Sequence, residues 1–176
     1  MILDREHMVG RDPFYDGYTY EELKVGDKAY YSKTVTDFDV GAFAGCTTDI
    51  SPVHLNEEFA KNEAGLPSRI VHGAYTNSLV SAATGLKMPG QGSLYLMQNS
   101  KFRRMVQIGD TLTVVLEVVE KIEKHKFVRL STMVYNQRDE LVLEGEALTR
   151  PRIPKPVEET AEPAKEEKTE KKAKKK

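Results

Sequence analysis

The stretch that decides the fold runs from Gly73 to Leu86 and reads GAYTNSLVSAATGL. Small residues dominate it, and the first charged residue after its start is Lys87. A helix of this composition has no charged side suited to water, so we expect it to be buried. Its small side chains would let a β-sheet wrap closely around it.

Four segments rich in β-forming residues follow this helix, and turn sequences separate them. A further strand is predicted ahead of the helix, at residues 28–34, which gives about five antiparallel strands. One long buried helix lying on a curled antiparallel sheet is an α+β architecture. The four later strands are predicted at residues 93–105, 111–123, 126–136 and 140–150.

Two shorter helices are predicted before the buried one. Thr36 places a capping hydroxyl three residues ahead of Asp39, and apolar residues then recur at helical spacing, which predicts a helix over residues 36–46. A second helix is expected to open at Asn56 and to stop at Gly65 and Pro67.

Charge divides the chain into a body and a C-terminal tail. Of the 176 residues, the first 150 hold 17 basic and 21 acidic ones, and such an acidic body argues against nucleic-acid binding by the folded domain. Residues 155–176 are rich in Lys, Glu and Pro, so we predict a disordered tail. We interpret its terminal lysines as solubilising, the alternative being a tether for nucleic acid or an anionic surface.

Location is predicted from what the sequence does not contain. No run approaches the ~20 apolar residues that cross a bilayer, and the N-terminus lacks the pattern of a signal peptide, so we expect no membrane association. The single Cys46 cannot form an internal disulfide. We therefore expect a cytoplasmic protein with no zinc framework.

The first candidate site is the loop TTDISPVHLN, residues 47–56. Asp49 and His54 stand five apart with Pro52 between them, in what we predict to be a rigid non-helical loop. A carboxylate and an imidazole that share one water are suited to general acid–base chemistry. The alternative is that Asp49 is a helix-end turn residue and His54 an ordinary loop residue.

The second candidate is the entry to the buried helix, RIVHGA at residues 69–74. Free N–H groups at a helix start can stabilise an oxyanion, and Gly73 would allow a substrate to approach closely. Alternatively, Gly73 only lets helix and sheet pack tightly. We interpret His72 as a hydrogen-bonded structural histidine.

Four motifs in order resemble the MaoC-like dehydratases, and in particular the (R)-specific enoyl-CoA hydratases. They are DISPVHLN with Phe59 and Ala60, IVHG before the small-residue helix, GSLYL with Phe102, and VQIGDTL. The resemblance covers roughly residues 23–151. It implies a hot dog fold and a homodimer with sheets joined edge to edge, with a dimer of dimers as a further option.

The resemblance also implies an activity and a set of site residues. Asp49 and His54 would activate the water that adds to a trans-2-enoyl thioester of coenzyme A, giving an (R)-3-hydroxyacyl-CoA, and which of them takes the water proton stays open. Gly73 would donate its N–H to the thioester carbonyl, and Ser81 would belong to the same motif. No metal or other cofactor is expected, and a short acyl chain is favoured.

Two other functional classes are weighed against the hydratase. A hot dog thioesterase usually carries a carboxylate on the long helix, and residues 73–86 contain none. A non-catalytic acyl-CoA-binding protein would have lost the acid and the histidine, and both are present.

We divide the chain into three segments: a leader at 1–22, the domain at 23–154 and the tail at 155–176. The leader is expected to pack on the body, where it covers a sheet edge or narrows a pocket mouth.

Overall fold

The computed structural model describes residues 17–153. Its helices are α1 (Asp37–Thr47), the single turn α2 (Pro52–Leu55) and α3 (Gly73–Leu86), with a π-helical turn at Phe59–Glu63. The strands are β1 (Lys28–Thr34), β2 (Leu94–Phe102), β3 (Thr111–Ile122), β4 (Phe127–Tyr135) and β5 (Leu141–Arg150). The bounds predicted for α3 are confirmed, and the five predicted strands are all present.

One antiparallel sheet contains all five strands in the order β1-β3-β4-β5-β2. The side chains of β3 alternate along the strand, with Leu112, Val114, Leu116 and Val118 fully buried. This alternation turns one face of the sheet toward the core, where it meets α3. The α+β hot dog architecture is thereby confirmed.

Helix α3 is buried along one side. Its core-facing residues include Tyr75, Leu79, Val80 and Ala83, each less than 8% exposed. The opposite side carries small residues that are exposed in the single chain, such as Ala74, Ser78 and Ser81.

Helix α1 begins at the predicted capping box. The Thr36 hydroxyl accepts from the main-chain N–H of Asp39, while the Asp39 carboxylate accepts from the N–H of Thr36 at 2.8 Å. The helix ends at Thr47, and its C-cap residue Thr48 adopts the left-handed conformation with φ of 62°. This turn redirects the chain into the loop that carries Asp49.

The short leader is described only from Gly17 onward. Thr19 and Tyr20 are buried, and Thr19 forms an isolated parallel bridge with Arg152. The expectations for residues 1–16 and for the tail lie outside the described residues. Within residues 17–153 there is no helix with the length and apolar character needed to span a membrane.

Candidate active site

The site lies where the loop after α1, the turn α2 and the start of α3 meet. Asp49 follows the left-handed Thr48, and His54 lies within α2. The prediction of a non-helical loop is wrong at His54, because Pro52 occupies the first helical position, where its fixed φ favours a helical turn and its missing N–H costs nothing.

Asp49 and His54 are brought together with His72. One carboxylate oxygen of Asp49 and one ring nitrogen of each histidine all lie within 4.8 Å of one another. A water that forms hydrogen bonds of about 2.8 Å can bridge two groups at that separation. The folded chain therefore has the geometry for two of these groups to hold a single water.

The ring of His54 is held by the segment that leads into α3. Its Nδ1 lies 2.8 Å from the main-chain carbonyl oxygen of Ile70, and a carbonyl can only accept, so Nδ1 carries the hydrogen. In the neutral ring Nε2 is then left with a lone pair. Ile70 also donates its N–H to the carbonyl of Val53 at 3.1 Å, which ties α2 to this segment at a second point.

His72 is the N-cap residue of α3, but its side chain does not cap the helix. It is 1% exposed, and its Nε2 lies 2.9 Å from the main-chain carbonyl oxygen of Asp49. Its ring stacks on that of His54, with centroids 3.8 Å apart, and also contacts the ring of Phe43 at 5.0 Å. The expected hydrogen bond is present at one ring nitrogen, whereas Nδ1 has no partner among residues 17–153.

A carboxylate and two imidazoles are also a ligand set used for divalent transition metals. A metal ion lies in the plane of each imidazole that binds it, about 2 Å from the nitrogen. The planes of His54 and His72 are stacked and only 30° apart, so they intersect far from either nitrogen. The arrangement suits water and hydrogen bonding better than a shared metal ion.

Gly73 is the first residue of α3, and its N–H therefore has no acceptor within the helix. The first turn of α3 contains no acidic residue, and Gly73 is exposed. The ring of Phe102, at the end of β2, lies directly beside it. The start of α3 thus presents the Gly73 N–H, which has no acceptor within the helix, next to the ring of Phe102.

Tyr75 lines the same end of α3 on its buried side. Its ring meets that of Phe43 edge to face, with centroids 5.8 Å apart. Burial raises the pKa of the Tyr75 hydroxyl well above its usual value, with the Asp39 carboxylate adding to the shift. Tyr75 therefore stays neutral and packs in the core beside Phe43.

Ser81 is not brought to the Asp49–His54 pair. It lies eight residues after Gly73 in α3, about 12 Å along the helix axis at ~1.5 Å per residue, and is exposed. Its assignment to the site stays a prediction.

The chain that carries this site is similar in sequence to a known protein family. The family model described as MaoC like domain matches residues 23–137. The chain belongs to the MaoC-like family. This MaoC-like protein is 40% identical over 144 residues to the 3-hydroxybutyryl-CoA dehydratase of Methylorubrum extorquens, a match that covers 82% of this chain and 88% of the relative.

Other relatives carry related names. The (R)-specific enoyl-CoA hydratase of Rhodospirillum rubrum is 36% identical over 73% of this chain and 88% of its own length. An R-hydratase of Pseudomonas aeruginosa, solved in the unliganded form, superposes with a TM-score of 0.74 at 39% identity, covering 78% of this chain and 88% of that one. The (R)-hydratase of Aeromonas caviae gives 0.70 at 36% identity, over 75% of this MaoC-like chain and 98% of its own.

Sequence reasoning missed several contacts of the site. No local sequence pattern predicts these contacts, because each one joins elements that are far apart in the sequence. They are made by the carbonyl of Ile70, the ring of Phe43 and the ring of Phe102 beside Gly73. The motif that contains Phe102 does not indicate its position beside Gly73. His72 lies close to both Asp49 and His54 for the same reason, because the start of α3 packs against the loop after α1 and against α2.

Proposed function

We propose that this protein catalyses the reversible hydration of trans-2-enoyl-CoA to (R)-3-hydroxyacyl-CoA. The observation that carries the proposal is the placement of the Asp49 carboxylate and the His54 ring within 4.8 Å of each other beside the start of α3. The relatives named as (R)-specific enoyl-CoA hydratase and 3-hydroxybutyryl-CoA dehydratase support both the reaction and the (R) product.

Asp49 and His54 hold the attacking water in this proposal. An ionised carboxylate only accepts hydrogen bonds, and the neutral His54 ring offers Nε2 as an acceptor because Nδ1 donates to Ile70. A water between them would donate one hydrogen to each group. Both lone pairs of this water are then free, and one of them can attack C3 of the bound acyl chain.

The reaction transfers one proton and forms one carbon–oxygen bond. As the water oxygen bonds to C3, one of the two residues takes its proton, and the electrons of the C2=C3 bond shift toward the thioester carbonyl. The protonated residue then returns that proton to C2 of the enolate, so that one water has been added across the C2=C3 bond. General acid–base catalysis of this kind contributes about 100- to 10,000-fold to the rate.

Gly73 stabilises the charge that develops on the thioester oxygen. Its N–H has no acceptor in the helix, and the start of α3 carries the positive end of the helix dipole. A single oxyanion donor of this type is worth about 3–4 kcal/mol in the transition state. We also propose Ser81, further along the same helix, as a substrate-binding residue.

A short acyl chain is part of the proposal. Tyr75 and Leu79 on the buried side of α3, with Met97 on β2, are candidate walls for the acyl chain. The relative from Methylorubrum extorquens is named for a four-carbon substrate.

We also propose a cytoplasmic location, which suits the exposed free thiol of Cys46.

We further propose a homodimer joined through β2. This strand lies at the edge of the sheet, and four successive apolar side chains on it are 37–46% exposed: Leu94, Tyr95, Leu96 and Met97. An exposed apolar edge strand is a template for pairing with another chain. The exposed small residues of α3 would let a second copy approach closely.

The test is a series of trans-2-enoyl-CoA substrates from four to ten carbons. Hydration removes the conjugated double bond, so absorbance of the enoyl thioester should fall with every active substrate. We expect the four- and six-carbon substrates to be turned over fastest. Loss of the signal only with long chains would contradict the short-chain proposal, and no loss with any chain would contradict the hydratase.

A further inference from the structure

His72 contacts both members of the proposed catalytic pair. Its Nε2 lies 2.9 Å from the carbonyl oxygen of Asp49, and its ring stacks on His54 at 3.8 Å. The residue is 1% exposed, while Asp49 is exposed. His72 therefore joins the exposed loop that carries Asp49 to the packed interior of the domain.

Among the described residues, the other hydrogen bonds of the loop around Asp49 are local in sequence, and they include the N–H of Ile50 to the carbonyl of Thr48 at 3.0 Å. The N–H of Asp49 meets the Thr47 hydroxyl at 3.3 Å, and the N–H of Ser51 meets the Asp49 carboxylate at 3.4 Å. Both distances are long for hydrogen bonds of this type. The bond from His72 is the shorter contact, and it comes from a buried ring.

We propose that His72 is a positioning residue that sets the separation of Asp49 and His54. Its Nε2–H fixes the main chain of Asp49, and its ring fixes the plane of His54. Phe43 contacts the His72 ring in turn, so His72 is itself held by the core. This inference rests on the proposed hydratase function, since it assigns His72 a part in the same reaction.

A positioning role predicts a specific kinetic pattern. Proton transfer to and from a shared water depends steeply on geometry, whereas substrate affinity depends on the whole pocket. Loss of the His72 hydrogen bond should therefore lower kcat far more than it changes KM.

Two variants distinguish the effect of the His72 hydrogen bond on kcat from the effect of its ring. His72→Phe keeps an aromatic ring against His54 but has no donor for the Asp49 carbonyl. His72→Gln keeps a donor at nearly the position of Nε2. We expect kcat to fall at least tenfold in His72→Phe with KM changed less than threefold, and to recover most of that loss in His72→Gln.

Thr84→Val is the matched control for lost stability. Thr84 is 2% exposed in the same helix, and its hydroxyl donates to the carbonyl of Ser81, far from the pair. We expect this variant to be destabilised without loss of kcat. A His72→Phe variant with kcat within twofold of the wild type, or a His72→Gln variant with no recovery at equal thermal stability, would overturn the proposal.

A second measurement needs no substitution and no turnover. Nitrogen NMR of the full chain labelled with ¹⁵N-histidine should find His72 with its hydrogen on Nε2 and His54 with its hydrogen on Nδ1. His72 with its hydrogen on Nδ1 alone would overturn the positioning role even if the variants failed to fold. Because this result does not depend on activity, it also distinguishes failure of the inference from failure of the hydratase proposal.

Discussion

The ring of Phe102 lies against Gly73, so that a Cβ built on residue 73 would stand 3.3 Å from the ring edge. Phe102 ends the edge strand β2, and Gly73 begins α3. The contact therefore brings the edge strand to the point where the proposed oxyanion donor lies. A side chain at residue 73 must displace the ring, occupy the approach to the N–H, or both.

Gly73→Val should lower kcat/KM by about 100- to 1,000-fold, because the thioester carbonyl can no longer reach the helix start. Steady-state kinetics with crotonyl-CoA and a thermal melt measure the two effects. Gly85→Val is the matched control, since a Cβ at this other α3 glycine meets no atom within 4 Å. A Gly73→Val variant with normal kinetics and a large loss of stability would make Gly73 a packing residue only.

Asp49→Asn and His54→Ala should each lower kcat by at least ~100-fold and leave a cooperatively folded protein. Asp49 is exposed, and neither Asp49 nor His54 belongs to the hydrophobic core cluster, so neither holds the core together. Turnover measured beside circular dichroism tests this. Near-normal turnover in either variant would remove that residue from the mechanism, and loss of folding would indicate a structural role.

Leu96→Lys should convert the proposed dimer to a monomer, since a charge on an edge strand opposes edge-to-edge pairing. Mass in solution from sedimentation or light scattering is the measurement. Val119→Lys is the control, because Val119 is 40% exposed but lies on β3, inside the sheet. A wild-type protein that is monomeric at micromolar concentration would contradict the dimer.

Asp39 should make folding stability depend on pH in the acid range. Burial alone would raise its pKa, yet hydrogen bonds from Thr36 and the contact with Lys33 lower the pKa to about 2. An unfolded aspartate titrates near pH ~4. The contribution of Asp39 to the free energy of unfolding is therefore complete above about pH 4 and is lost as the pH falls toward 2.

Asp39→Asn should lower the free energy of unfolding by about 1 kcal/mol at pH 7, as expected for loss of a capping box. Between pH 4 and 2 the variant should lose less stability than the wild type. Urea unfolding at several pH values measures both effects. Equal slopes in the variant and the wild type would contradict the assignment.

Local pattern was sufficient to predict most of the elements. Helix α3 could be placed because its small-residue run ends at a change of composition, and α1 because the Thr36–Asp39 box is a local signal. Strand β2 is three residues shorter at its end than predicted. There Arg103 and Arg104 both donate their N–H groups to the carbonyl of Val142 as the chain leaves the ladder, a contact 38 residues away in sequence.

The site was predictable as residue types but not as geometry. Asp49 and His54 are candidates from their spacing around Pro52 together with the family resemblance, and Pro52 also starts a helical turn that the sequence analysis does not predict. Their separation depends on where Ile70 and His72 lie, and those residues reach the pair only because α3 packs on the sheet. The strand order and the exposure of β2 are likewise properties of the assembled sheet.

The most direct test of the central claim is the product formed from crotonyl-CoA in H₂¹⁸O. We predict (R)-3-hydroxybutyryl-CoA with one ¹⁸O at C3 and no release of free coenzyme A. An (S) product would contradict the stereochemistry alone. Free coenzyme A without a hydroxyacyl product would favour a thioesterase, and tight binding without turnover would favour an acyl-CoA-binding protein; either result would contradict the hydratase.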